Sequence, residues 1–288
     1  MITVFRHSLT RYIGQILGWG IALGLVGTYG ILLYDTLVQP GVEQQYQQLI
    51  SSYPPQLMAF FGDMSQMFTP SGYLDTLFFS YIAIIIGIFA ILACASLLAG
   101  DEEKGILDLV LAYPISRTKL YFARLGAFAA ATLLILFIAW LGFILPLSKT
   151  TMDATPVAIL LPFLSLFGLL IFIGTLTLLL SLLFPSQQWA AMTSGLILVA
   201  SYFLSSLSKL SEKLKPIEKY FPMHYYQGGR ALTEMKWDWF GILMGSSIVF
   251  AGLAWWLFER RDIRVSGESG WRVLTFLGRK YKRPGKGT

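Results

Sequence analysis

Residues 74 to 100 read LDTLFFSYIAIIIGIFAILACASLLAG, an apolar run whose one charge, Asp75, lies at its start. A bilayer core about 30 Å thick takes roughly 20 apolar residues as a helix, and this run is longer than that. It shows no alternation of apolar and polar positions, which favours a helix over a barrel strand. The same reading finds five further runs: Ile13 to Tyr34, Tyr121 to Leu147, Val157 to Phe184, Trp189 to Leu207 and Trp239 to Phe258. The expected fold is an all-α membrane protein with six transmembrane helices. Composition agrees, since 55% of the 288 residues are hydrophobic and 13% charged, whereas a soluble domain carries about a quarter charged residues. The first run is too long and too glycine-rich for a cleaved signal peptide, and no small-residue cleavage site follows it.

Lysine and arginine set the orientation. With the N-terminus inside, fifteen of the 22 basic residues fall on the inner side: Arg6 and Arg11, then Lys104, Arg117, Lys119 and Arg124, then nine beyond Phe258. The first outer connection, Asp35 to Tyr73, has none. N-in, C-in is the expectation, although Lys209 to Lys236 places six basic residues outside. The net charge of +6 then points to the anionic inner leaflet as partner, and not to nucleic acid. Both long outer connections carry short apolar patches, such as LMAFFG at 57–62, read as interfacial or re-entrant helices. Residues 1–265 form the expected membrane domain, and residues 266–288 a basic cytosolic tail.

The runs exclude several chemistries. Asp75 and Arg124 sit near run ends, and no ionisable side chain lies deep inside. Ion-coupled carriers and intramembrane proteases usually need such groups at depth. His7 and His224 are expected on opposite sides of the membrane, so no metal site is expected. The single cysteine, Cys94, reads as packing. Nothing matches the phosphate-binding pattern G-x-x-x-x-G-K-[ST], so the chain is not expected to hydrolyse ATP or to be an enzyme. Gly14/Gly18 and Gly20/Gly24 form two small-residue pairs in the first run, suited to close helix packing.

Between the second and third runs lies DEEKGILDLVLAYPISRTKL, residues 101–120. Asp101 can cap a helix, with Glu102 and Glu103 at its positive end. Ile106, Val110 and Tyr113 recur at helical spacing beside Leu107 and Leu111. Pro114 stops that helix and Ser116 caps the next. The residues describe an amphipathic surface helix. By themselves they leave open a second use, a plain turn of the chain held by Arg117 and Lys119.

This stretch resembles the cytosolic connection of ABC transporter permeases of the type 2 exporter class. The likeness rests on Glu102 or Glu103, Gly105, the aliphatic run 106–112, Pro114, Ser116 and Arg117. The six runs, the large first outer connection and the segment FPMHYYQGG before the last run extend it. The basic tail is longer than in many members. The resemblance implies a transmembrane permease subunit of an ATP-driven exporter, multi-pass in a prokaryotic inner membrane. It implies a separate ATP-binding subunit that carries ATP and Mg, and a second permease subunit, identical or homologous. The 101–120 stretch becomes a coupling helix. Ile106, Leu107, Val110 and Leu111 would be its apolar contacts, and Glu102, Glu103 and Arg117 its polar ones, with Gly105 and Pro114 bounding it. Two other functions stay open: a permease-like subunit that senses or resists peptide antibiotics, and a membrane scaffold without transport.

Overall fold

In the computed structural model the chain is described at residues 2–38, 41, 42, 48, 49, 53, 54, 66–103, 105 and 116–260. Six helices are long and apolar enough to cross a membrane. A short helix α1 (Ile2–Thr10) precedes the first, α2 (Ile13–Leu37). The second, α3, runs from Pro70 to Ala95, and a short α4 (Ala99–Glu103) follows it. Then come α5 (Arg117–Ile144), α6 (Pro156–Leu183), α7 (Gln187–Ser208) and α8 (Trp237–Arg260). Each span lies within a few residues of its expected limits. The expected apolar patch at 57–62, residues 104 and 106–115 of the expected coupling helix, and the tail at 266–288 fall outside the described residues.

Local chemistry starts these helices where the sequence changes. Thr69 caps α3, its hydroxyl accepting from the Gly72 amide at 3.2 Å, with Pro70 in the first turn. Ser116 caps α5 through the Lys119 amide at 3.3 Å, as expected from the sequence. Thr155 does the same for α6 through Ala158, with Pro156 behind it.

Lipid tails are as apolar as leucine, so helices in a bilayer associate by close packing and polar contacts. Burial is greatest in α3 and α6, where 61% of the apolar window is buried, against 17% in α8. Helices α3 and α6 are therefore the core of the bundle. Phe78 and Phe79 of α3, Phe143 of α5 and Phe163 of α6 stack edge to face there, with Phe78 and Phe143 4.6 Å apart and Phe79 and Phe163 5.3 Å apart. Along α2 and α5 the backbones nearly touch. A Cβ on Gly142 would overlap the Gly24 carbonyl, and one on Gly20 would lie 2.9 Å from the Ile138 Cβ. The Thr28 hydroxyl donates across this contact to the Gly142 carbonyl at 2.8 Å. The Gly20/Gly24 pair is thus internal packing, while Gly14 and Gly18 face open space.

Helix α1 and the last turn of α8 lie at one end of the bundle, here called the basic end for Arg11, Arg117, Arg124 and Arg260. At the far end, Asp35 closing α2 accepts from the Thr151 amide at 2.9 Å and from its hydroxyl at 2.6 Å. The segment from Phe221 to Leu232 is broken into single turns and wedged among α3, α6, α7 and α8. Irregular backbone at this depth needs internal partners. Ser201 accepts from the Met223 amide at 2.9 Å, Ser165 accepts from the Gln227 amide at 3.0 Å, and the Tyr226 hydroxyl donates to the Phe79 carbonyl at 2.9 Å. Gln227 also exchanges two hydrogen bonds with the Lys236 backbone, at 2.7 and 2.9 Å.

Gly142→Val should lower the thermal midpoint of the detergent-purified protein by several degrees, because overpacking a tight contact costs about 1–3 kcal/mol. Gly18→Val, whose added Cβ meets nothing within 4 Å, should leave the midpoint close to that of the unmodified protein.

Candidate functional site

The connection from α3 to α5 is where the sequence concentrates charge, and the structure shows how its two ends are held. Helix α3 stops at Ala95, where the Ser96 hydroxyl donates to the Leu92 carbonyl at 2.8 Å. The chain bends and resumes as α4, which carries Asp101, Glu102 and Glu103. Gly105 then adopts φ +67°, and its amide donates to the Glu102 carbonyl at 3.0 Å. That left-handed conformation costs a side chain about 1–2 kcal/mol and glycine almost nothing, so Gly105 is the point where the chain leaves α4.

Asp101 is 3% exposed, a burial no carboxylate tolerates alone. Arg124, two turns into α5 and itself buried, donates from Nη2 to Asp101 Oδ2 at 2.6 Å and from Nη1 to the Leu97 carbonyl at 2.6 Å. Arg11, between α1 and α2, approaches the same Oδ2 at 3.3 Å from a more exposed position. One carboxylate thereby joins the end of α3, the start of α2 and the first turns of α5. Beside it, burial raises the Tyr12 phenol above its ordinary pKa, so that ring stays neutral.

Glu103 makes a second tie. Helix α7 begins after Ser186, whose own side chain makes no capping bond. Glu103 Oε1 accepts from the Gln187 amide at 2.7 Å instead. A carboxylate from another element thus caps α7 and faces its positive dipole end. Gly100 allows this approach, since a Cβ there would lie 2.9 Å from the Gln187 side-chain oxygen.

The other end of the connection is held by α8. Arg117 Nη1 points to the carbonyls of Phe258 and Glu259, each at 3.5 Å, where the last carbonyls of a helix attract a cation. The Thr118 hydroxyl donates to the Glu259 carboxylate and accepts from Trp255 Nε1 at 3.3 Å. The Tyr121 hydroxyl donates to the Ala251 carbonyl at 2.7 Å. The described residues on the two sides of 106–115 are thus each anchored. The first anchor grips α2, α5 and α7, and the second grips α5 and α8.

Of the residues singled out in the sequence, Glu102, Glu103, Gly105 and Arg117 are placed at these anchors. Ile106, Leu107, Val110, Leu111 and Pro114 lie outside the described residues. The expected caps differ in one respect. Asp101, Glu102 and Glu103 sit within α4 itself, ahead of Gly105, and Asp101 is not its first residue. The physical reason is that Asp101 forms an ion pair with a buried arginine, a stronger interaction than a cap. Glu102, 8% exposed, is likewise turned into the protein. Arg11, Arg124 and Gln187 were not foreseen as partners. The available signal was Arg124 itself, an arginine two turns inside an apolar helix, which requires a counter-charge. Among the described residues no group of three or more His, Cys, Asp or Glu side chains is placed to hold a metal.

Arg124→Met should destabilise the protein by about 3–5 kcal/mol, the cost of stranding a buried charge. Arg11→Met, at a half-exposed position, should cost about 1 kcal/mol or less. Chemical denaturation in detergent would check this ranking.

The family model described as ABC-2 family transporter protein matches residues 16–263, which takes in all six spans but the first three residues of α2. A comparison with curated proteins finds no match. Six apolar helices and a family match over most of the sequence carry one conclusion: the chain is a multi-pass membrane protein that belongs to the ABC-2 family of transporter proteins, as the permease subunit whose partner is an ATP-binding subunit.

Proposed function

We propose that this chain is the permease of an ATP-driven exporter, and that residues 106–115 are the coupling helix that docks on the ATP-binding subunit. The observation that supports this reading is that the described residues on both sides of that segment are anchored to other helices. Force transfer needs a rigid attachment to elements that move as units. The anchors at Asp101, Glu103 and Arg117 tie its flanks to α2, α5, α7 and α8. A push delivered to these flanks reaches those four helices through these contacts.

In this reading Ile106, Leu107, Val110 and Leu111 form the apolar contact with the partner, and Pro114 ends the docking helix. Glu102, Glu103, Gly105 and Arg117 brace its two ends. ATP and Mg reside on the partner subunit, whose closure on nucleotide supplies the work. Two permease subunits, identical or homologous, flank the path, and transport runs outward across a prokaryotic inner membrane. Residues 1–265 constitute the membrane domain. The basic residues of 266–288 lie against the anionic inner leaflet, with membrane lipids as their partner.

Copurification tests the docking. Tagged protein should recover the ATP-binding subunit in near-equal amount, and the double variant Leu107→Glu with Val110→Glu should lower recovery about tenfold, as expected for charges placed in an apolar contact. Thermal melting would verify that the variant is folded. Undiminished recovery by a folded variant would contradict the assignment of these residues.

A further inference from the structure

The far end of the bundle holds a cavity of about 420 Å³ that the coupling reading does not use. Its size falls within the range of small-ligand sites, about 300–1,000 Å³. Three spans meet there: the start of α3 with Asp75, the last turns of α7 with Tyr202 and Ser205, and the first turn of α8 with Trp239. The wedge of single turns between α7 and α8 supplies the rest, including Glu218, His224 and Tyr226.

This wall is built and not incidental. Helix α3 opens into a wider π turn at Asp75–Phe79, a distortion often found at functional sites. Asp75 Oδ1 accepts from the Gly229 amide at 2.8 Å. Gly228 at φ +53° and Gly229 let the wedge close on it, because a Cβ on either would lie 2.5–2.6 Å from Asp75 atoms. The Glu218 side chain is 14% exposed, takes a hydrogen bond from the Ser205 hydroxyl at 3.1 Å and lies 3.4 Å from His224 Nδ1. Burial and the Asp75 charge both raise the Tyr226 phenol well above its ordinary pKa, so it adds no charge of its own.

Charge is divided by exposure in this cavity. The two half-buried acids, Asp75 and Glu218, line it together with the half-buried Tyr202, Tyr226 and Trp239. Lys209, Lys219, Arg230 and Lys236 line it from exposed positions, with Glu234 against them. Lys236 Nζ already rests 4.5 Å from the Trp239 ring, which shows that this aromatic surface accepts an ammonium group. A simple anion would meet the two half-buried carboxylates, and a simple cation would have to pass the basic mouth. A ligand with an ammonium group at one end and a phosphate at the other fits both. The ends of three spans place the cavity at headgroup depth.

We infer that this cavity binds an aminoalkyl phosphate, its ammonium directed to Asp75 and Glu218 and its phosphate held by the basic mouth, with a membrane phospholipid headgroup of the ethanolamine type as the source favoured by the cavity's depth. The site is separate from the ATPase-facing segment, and its test needs no ATPase.

Native mass spectrometry of the purified full chain in detergent would compare three ligands: dihexanoyl phosphatidylethanolamine, dihexanoyl phosphatidylglycerol, and water-soluble glycerophosphoethanolamine. The ethanolamine lipid should bind about tenfold tighter than the glycerol lipid, which lacks the ammonium. Asp75→Asn with Glu218→Gln keeps an acceptor oxygen at both positions, and should reduce that preference to about twofold or less. Glu218→Gln alone should reduce it partway, which guards against a folding defect in the double variant. Weak binding of glycerophosphoethanolamine would assign the site to a membrane lipid, and binding equal to that of the lipid would assign it to a soluble aminoalkyl phosphate. Equal binding of the two lipids, binding of neither, or a preference that survives in the folded double variant would overturn the inference.

Discussion

The basic end of this protein is organised around one buried ion pair. Asp101 is shielded from water, and Arg124 meets it at 2.6 Å while also satisfying the Leu97 carbonyl. A carboxylate placed so deep has no stable position without that guanidinium. Once the pair forms, α4 is fixed in rotation as well as in place. Glu103 then faces the amide of Gln187, Gly105 sits where the chain must turn, and Arg11 closes the pair from the turn before α2. Removing the charge at 101 would therefore release three helices from one another, and not only one contact.

The two ends of the bundle are tied by different means. At the basic end the ties are charged and lie between helix ends. At the far end Ser165 and Ser201 accept from backbone amides of the wedge, and Asp35 and Asp75 accept from the amides of Thr151 and Gly229. Between them, glycine contacts and a cluster of phenylalanines hold α2, α3, α5 and α6 together. Such a body tilts more readily than it bends, because its middle is close-packed and its ends are pinned. This suits a subunit that receives work at one end and reshapes a path along its length.

Much of this was legible in the sequence, for a physical reason. A membrane helix must be apolar over its whole length, so the spans announce themselves, and Ser116 before Arg117 marks a cap by local chemistry alone. The Gly20/Gly24 pair reads as packing because small residues at that spacing have one common use. The anchors were not legible. Asp101 lies 23 residues from Arg124 and 90 from Arg11, and Glu103 lies 84 from Gln187. Side chains that meet across such separations depend on how spans are arranged side by side, which no local pattern encodes. For the same reason, the wedge at FPMHYYQGG could be seen as distinctive while its serine partners in α6 and α7 could not.

The central claim is that a push on residues 106–115 reaches the spans through Asp101. Pulsed electron resonance would test it with spin labels at Phe122→Cys in α5 and Trp189→Cys in α7, both exposed positions, with the buried Cys94 replaced by alanine. In the complex with its ATP-binding subunit, adding nucleotide should shift the distance between these labels, and Asp101→Asn should reduce the shift while nucleotide still binds. An equal shift with and without the Asp101 carboxylate would contradict the account.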